Sequence, residues 1–223
     1  MIVGFNGPPY QNFPKYPNFK TARLLKNIGN KMMINTLAKM ASGKYIFKTD
    51  SHCMFAKGFD ETLQADMANN WLVAPRFYKL DPLKWRRQDR KFYDYFYFRF
   101  KGAGPWPERT QEGANIILDE TPLIHGSAWF VEKDFFLNRI GGFPNSGPMN
   151  HTQESTYLCL KTWLGPWNGR VMVNKKTWYA HKEHWEQNKG IPHTYEAAEK
   201  FWAVNKWNEK AHDMDWLIKK FAP

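Results

Sequence analysis

The stretch from Ala41 to Phe55 limits most narrowly what this chain can fold into. It reads Ala-Ser-Gly-Lys-Tyr-Ile-Phe-Lys-Thr-Asp-Ser-His-Cys-Met-Phe. Gly43 stops a helix, Tyr45 to Lys48 make a short apolar strand, and the strand ends at Asp50-Ser51-His52. In an α/β fold, ligands bind beyond the carboxyl ends of strands. Two residues apart on extended chain, Asp50 and His52 point the same way. They offer one oxygen and one nitrogen, a pair suited to a divalent cation of the manganese type. Taken alone, the triplet also reads as a polar strand end capping a turn.

The surrounding pattern supports an α/β class. Lys31 to Ser42 place Ile34, Leu37, Ala38 and Ala41 at helical spacing. Gly58 to Ala68 read as a helix, Trp71 to Ala74 as a strand ended by Pro75, and Ser127 to Glu132 as another strand. A short helix from Asp134 to Ile140 stops at Gly141-Gly142. Glu154 to Leu164 is a helix, Arg170 to Asn174 a strand, and Thr177-Trp178-Tyr179-Ala180-His181 follow. Ile2 to Phe5 and Arg23 to Leu25 are brief strands around a proline-rich loop. Two more helices, Tyr195 to Lys206 and Asp213 to Phe221, close the chain. Strands and helices alternate, as in α/β proteins. The organisation expected is one domain over 1–190 and a helical extension over 191–223.

At 223 residues the chain can bury a full core. It has no apolar run of membrane-spanning length, its first residues lack the basic and apolar regions expected of a secretory leader, and Cys53 and Cys159 make no disulfide framework. A cytoplasmic, reducing compartment is the expectation. The formal charge of +11 favours anionic partners.

Three segments together resemble the GT-A class of nucleotide-sugar glycosyltransferases. The first is Gly29-Asn30-Lys31, Asn35, and Ala41 through His52. The second runs from Gly126-Ser127-Ala128-Trp129 through Phe135-Phe136 to Ile140-Gly141-Gly142-Phe143. The third joins Gln153-Glu154, Leu160-Lys161-Thr162-Trp163, Gly169-Arg170-Val171 and Tyr179-Ala180-His181. It is similar to a motif series of the polypeptide N-acetylgalactosaminyltransferases and of family-two-like transferases in bacteria and phages. The resemblance covers most of residues 22–185.

The resemblance implies a Rossmann-like GT-A fold, a mixed sheet flanked by helices. It implies a divalent metal, Mn2+ or Mg2+, held by Asp50, His52 and His181 against the diphosphate of a nucleoside-diphosphate sugar donor. Glu154 would be the acidic residue beside the acceptor, a general base if the enzyme inverts and an orienting group if it retains. His125 and Gly126 would line the donor, Trp129 would stack on a sugar, and Lys182, His184 and Lys189 would close over the diphosphate. The acceptor is left open as glycan, protein or nucleic acid. Plainer roles stand beside these: Glu154 as a helix N-terminal acid, His181 as a satisfied buried histidine, Trp129 as core, and the lysines as a solvated face.

The sequence departs from the family at its front. Only 49 residues precede Asp50, whereas a βαβ unit alone takes about 30 or more. Part of the nucleotide-binding unit is therefore expected to be missing, or completed by a partner chain, with weak donor binding as the consequence. Ile34 stands where the family often has an arginine, and Thr152-Gln153 where it has Gly-Gly before the acid at Glu154. Two further functions stay open. One is a nucleic-acid-binding module built on Trp85, Arg86, Arg87, Arg90, Lys91, Phe92 and Tyr93. The other is a catalytically idle glycosyltransferase-like binding domain.

Overall fold

A computed structural model describes residues 1–8, 16–98, 104–182 and 195–222. At the front, β1 (Ile2–Asn6) and β2 (Lys20–Leu24) pair in parallel and form a two-stranded sheet of their own. Helix α1 (Asn30–Met40) packs on β1, where a side chain at Gly4 would collide with Met33 and Leu37. The spacing of Ile34, Leu37 and Ala38 thus does what a helical stripe predicts, burying Ile34 and Ala38.

The chain continues through β3 (Tyr45–Thr49), β4 (Cys53–Phe55), α2 (Phe59–Ala65), β5 (Trp71–Asp81) and β6 (Arg86–Tyr93). A small β7–β8 pair (Phe96–Tyr97 and Gly104–Pro105), α3 (Pro107–Glu112), β9 (Leu118–Glu120) and β10 (Ala128–Glu132) follow. Then come α4 (Glu154–Leu164), β11 (Arg170–His181), α5 (Tyr195–Ala203) and α6 (Met214–Phe221). Seven strands form one sheet with the path β3-β10-β5-β11-β4; β6 pairs β5 and β9 pairs β11. β5 and β11 run parallel, and the other pairs of this sheet are antiparallel. β3 and β11 therefore point the same way, and their carboxyl ends open on the same edge.

The expected strand at Trp71 does not end at Pro75. β5 runs on to Asp81, and the partner yields instead: β11 pairs Asn174 with Pro75 and then skips to Trp178 opposite Arg76. Proline has no N–H to give to a ladder, and a bulge in the facing strand accommodates that gap. What reads as two segments, Arg170 to Asn174 and Thr177 to His181, is one bulged strand.

Both faces of the sheet are covered. Trp129 and Val131 of β10 face the larger core, while Phe130 faces a smaller one with Leu63, Val73 and Met172. Every residue from Ser155 to Leu164 is buried. A helix buried on every side, with Lys161 and two threonines among its buried residues, needs cover all round. The sheet lies on one side of α4, and Trp202, Trp207, Met214 and Leu217 of the C-terminal segment join the same core. Each such large side chain contributes about 1.5–3 kcal/mol on burial.

The expected helix before Gly141-Gly142 is a π-helical turn, Phe135–Arg139. Both glycines have positive φ, +83° and +66°. Asn35 clasps the loop that follows, bonding both the N–H and the carbonyl of Phe143 at 2.9 and 2.8 Å. Among the described residues, no helix is long and apolar enough to cross a membrane.

Candidate metal centre

The sheet edge where β3 and β11 end collects the polar residues. Asp50 follows β3 directly, and its backbone N–H donates to the Ser127 carbonyl at 2.9 Å, which fixes where the strand stops. β4 doubles back from His52, pairing Cys53 with His181. The Lys182 N–H donates to the His52 carbonyl at 3.2 Å. A turn between antiparallel partners on one side and a strand terminus on the other thus brings residues 129 positions apart into contact.

Asp50, His52 and His181 form a group that can hold a cation, with ligand atoms all within 4.8 Å of one another. The two Nε2 atoms lie 2.8 Å apart, and Asp50 Oδ2 is 3.5 Å from that of His181 and 4.0 Å from that of His52. Ligands ~2.1 Å from a metal in tetrahedral or octahedral array sit ~3.0–3.5 Å apart, so to share one cation the two imidazoles would part slightly and Asp50 would close on His52. The His181 ring is buried and packed beside His125 and Phe77, at 5.2 and 6.3 Å between centroids. That packing turns Nε2 toward Asp50 and leaves Nδ1 without a hydrogen-bond partner among the described residues.

Burial works to raise the Asp50 carboxyl, but the hydrogen bond to His181 and the Lys48 ammonium together outweigh it and bring the pKa down to about 2. The group is a carboxylate at any physiological pH. Cys53, next in the chain to His52, is pushed up to about 11, chiefly by burial. It is a thiol at neutral pH, with Sγ turned to the Ser127 carbonyl at 3.9 Å.

Lys48 was not singled out from the sequence, yet it organises the floor of the site. Its Nζ lies 2.8 Å from Asp50 Oδ1, 3.0 Å from Glu154 Oε1 and 2.7 Å from the Gly126 carbonyl. Burial alone would lower its pKa, but Glu154 and then Asp50 reverse that and raise it. Glu154, the first residue of α4, is held from three sides: Lys48 and the Trp129 indole N–H (2.8 Å) on Oε1, and Asn30 Nδ2 (2.9 Å) on Oε2. A carboxylate so engaged is built to stay in place. The signal in the sequence was period two: Lys48 and Asp50 share one side of the same extended segment.

Trp129 is fully buried, its ring against Phe136 and Phe143, so it has no face to lend a sugar. Its contribution is the indole donor to Glu154. His125 lies within the cluster, with Nδ1 2.6 Å from Ser127 Oγ and its ring against Phe77 and Phe96. Ser127 Oγ in turn donates to the buried Tyr179 hydroxyl at 3.2 Å. Gly126 contributes its carbonyl to Lys48, and a Cβ there would meet Ser155 only at ordinary contact distance. Lys182 is half-buried at the end of β11. His184 and Lys189 lie outside the described residues.

No protein-family model matches the chain, and no curated protein matches its sequence. Solved structures do match it in fold. Among them is a crystal structure of GalNAc-T7 with UDP, GalNAc and Mn2+, at a TM-score of 0.60 and 15% identity over 85% of this chain. The match spans 37% of that protein's length. The fold is therefore GT-A-like, a mixed sheet flanked by helices.

Proposed function

We propose that this chain is a metal-dependent glycosyltransferase domain, moving a sugar from a nucleoside-diphosphate donor to an acceptor hydroxyl. The observation that carries the reading is the meeting of Asp50, His52 and His181 at the carboxyl edge of the sheet, where α/β folds bind their ligands. The fold shared with a protein crystallised with UDP, GalNAc and Mn2+ supports a uridine diphosphate sugar as the first donor to try. A divalent cation bound by the three side chains supplies positive charge to a departing diphosphate. Two imidazoles in the set favour Mn2+ over Mg2+, which prefers oxygen ligands and sheds water reluctantly.

The protein's own groups do the remaining work. Lys48 holds the Asp50 carboxylate toward the two imidazoles and ties Glu154 in place. Glu154 has its Oε1 doubly occupied, so Oε2, bonded among the described residues to Asn30 alone, is the oxygen left to receive an acceptor hydroxyl or to orient the sugar. Its engagement by three donors favours orienting over proton abstraction. His125, whose ring packs beside His181, and Lys182, whose N–H bonds the His52 carbonyl, would contact the donor.

The test begins with binding. Mn2+ at a hundred times its dissociation constant should stabilise the protein by about 2.7 kcal/mol. Asp50→Ala and His181→Ala should lose that gain while keeping a native far-ultraviolet spectrum. Mn2+-dependent turnover of a uridine diphosphate sugar should disappear in the same variants. A Mn2+ shift unchanged in both variants would overturn the assignment.

A further inference from the structure

The β5–β6 hairpin extends past the metal centre. Lys79 pairs with His181, and β5 then runs two residues further, ~7 Å, to Asp81 before the chain turns. Pro82, Leu83, Lys84, Trp85 and Arg86 are all exposed, Leu83 at 94% and Trp85 at 48%. The tip is held in shape. Asp81 Oδ1 accepts from the N–H groups of Leu83 and Lys84 at 3.0 and 3.1 Å. Below it, the Arg87 guanidinium lies over the rings of Trp178 and Tyr78, at 4.4 and 4.6 Å. Between positions 79 and 91 stand six cations and two carboxylates. One of the two, Asp89, is already paired to Arg87 at 2.6 Å. A cleft of 470 Å³ on this hairpin is lined by Asp81, Arg86, Arg87, Gln88 and Asp89, as many carboxylates as guanidiniums. The net cationic character therefore lies outside it, at Lys84, Arg90 and Lys91.

We propose that this hairpin tip is an anchor for an anionic lipid bilayer surface, with Leu83 and Trp85 entering the interface and Lys84, Arg86, Arg90 and Lys91 meeting the headgroups. Trp with an aliphatic neighbour among cations matches the layered chemistry of a bilayer edge, apolar below and anionic above. A single-stranded nucleic acid fits less well. It needs several rings open for stacking, and Phe92 and Tyr93 pack inward against the core clusters, which leaves Trp85 as the hairpin's one exposed ring. Leu83 would have no role there. The inference stands on the hairpin alone and is independent of the transferase reading.

Flotation of the full chain with vesicles of phosphatidylglycerol and phosphatidylcholine, against phosphatidylcholine alone, tests it. The wild type should float with the anionic vesicles and stay behind with the neutral ones. Lys84→Glu/Arg86→Glu should weaken partitioning at least roughly 25-fold, about fivefold for each cation lost. Leu83→Ser/Trp85→Ser should weaken it at least about tenfold. All four side chains are exposed, so both variants should keep the wild-type circular dichroism and melting temperature. The proposal is overturned if the wild type does not float, or if the Leu83/Trp85 variant floats as well as the wild type, which bulk charge would explain. It is equally overturned if the same residues control binding of a single-stranded oligonucleotide, or self-association seen by sedimentation, while vesicles go unbound.

Discussion

Replacing Lys48 with Met tests how the site holds itself together. The substitution keeps an unbranched apolar stem and removes an ammonium that is 11% exposed and bound to three acceptors. It leaves two carboxylates facing each other without a cation between them: Glu154, 13% exposed, and Asp50, a third exposed. Breaking a buried pair by removing one partner costs about 3–5 kcal/mol. The partial exposure of Asp50 lets water take up some of that, so about 3 kcal/mol is the expected loss. For a domain of this size that lowers the melting temperature by about 6–12 °C. Thermal and urea unfolding followed by circular dichroism measure it. A cycle with Glu154→Gln isolates the pair, because removing the second charge should recover about 1–3 kcal/mol of the loss. If Lys48→Met melts within about 2 °C of wild type, or the cycle is additive, Lys48 is not the tie between Asp50 and Glu154 and the reasoning fails.

Two further outcomes follow from groups away from the centre. Lys161 is buried under Trp207 and Trp167, with exposed Glu209 its counter-charge among the described residues, and burial pulls its pKa from 10.5 to about 8. The unfolded chain holds that proton more tightly, so stability should rise as pH goes from about 8 to about 10.5, by up to about 3 kcal/mol. Lys161→Met should flatten this rise and, after about 0.5–2 kcal/mol of lost ring contact, raise stability by about 1 kcal/mol at pH 7; a variant clearly less stable than wild type at pH 7 contradicts the assignment. Gly141→Ala should cost only the left-handed backbone penalty, about 1–2 kcal/mol. Gly142→Ala should cost more, because its Cβ would sit 2.7 Å from Asn35 Oδ1, whereas Gly141 faces open space. Equal losses in urea unfolding would refute the close contact.

Elements whose signals are local were legible in the sequence. Glu154 to Leu164 forms the helix expected, because an acid opens it and Gly165 closes it. Tyr45 to Thr49 and Ala128 to Glu132 are strands within a residue of their expected bounds. The candidate metal triplet was legible in part: Asp50 and His52 from spacing, His181 only through family resemblance. What escaped depends on partners far along the chain. Pro75 carries a breaker signal, and only β11, about a hundred residues later, explains why the strand continues. Trp129 looks the same in sequence whether it faces solvent or core; the burial of both its ring faces decides. A lysine in an apolar strand reads as solvated until Glu154 is placed 3.0 Å from it. The β5–β6 pairing is likewise invisible in the sequence, because its register shifts between Tyr78 and Leu80.

The place of β11 in the sheet has a consequence for how the protein is born. It is the last strand of the sheet to be synthesised, yet it lies inside it, between β5 and β4. Until residue 181 clears the ribosome, β5 carries a long unpaired edge of main-chain donors and acceptors, an invitation to strands of neighbouring nascent chains. That edge stays open to such pairing for the time translation takes to travel from β5 to β11.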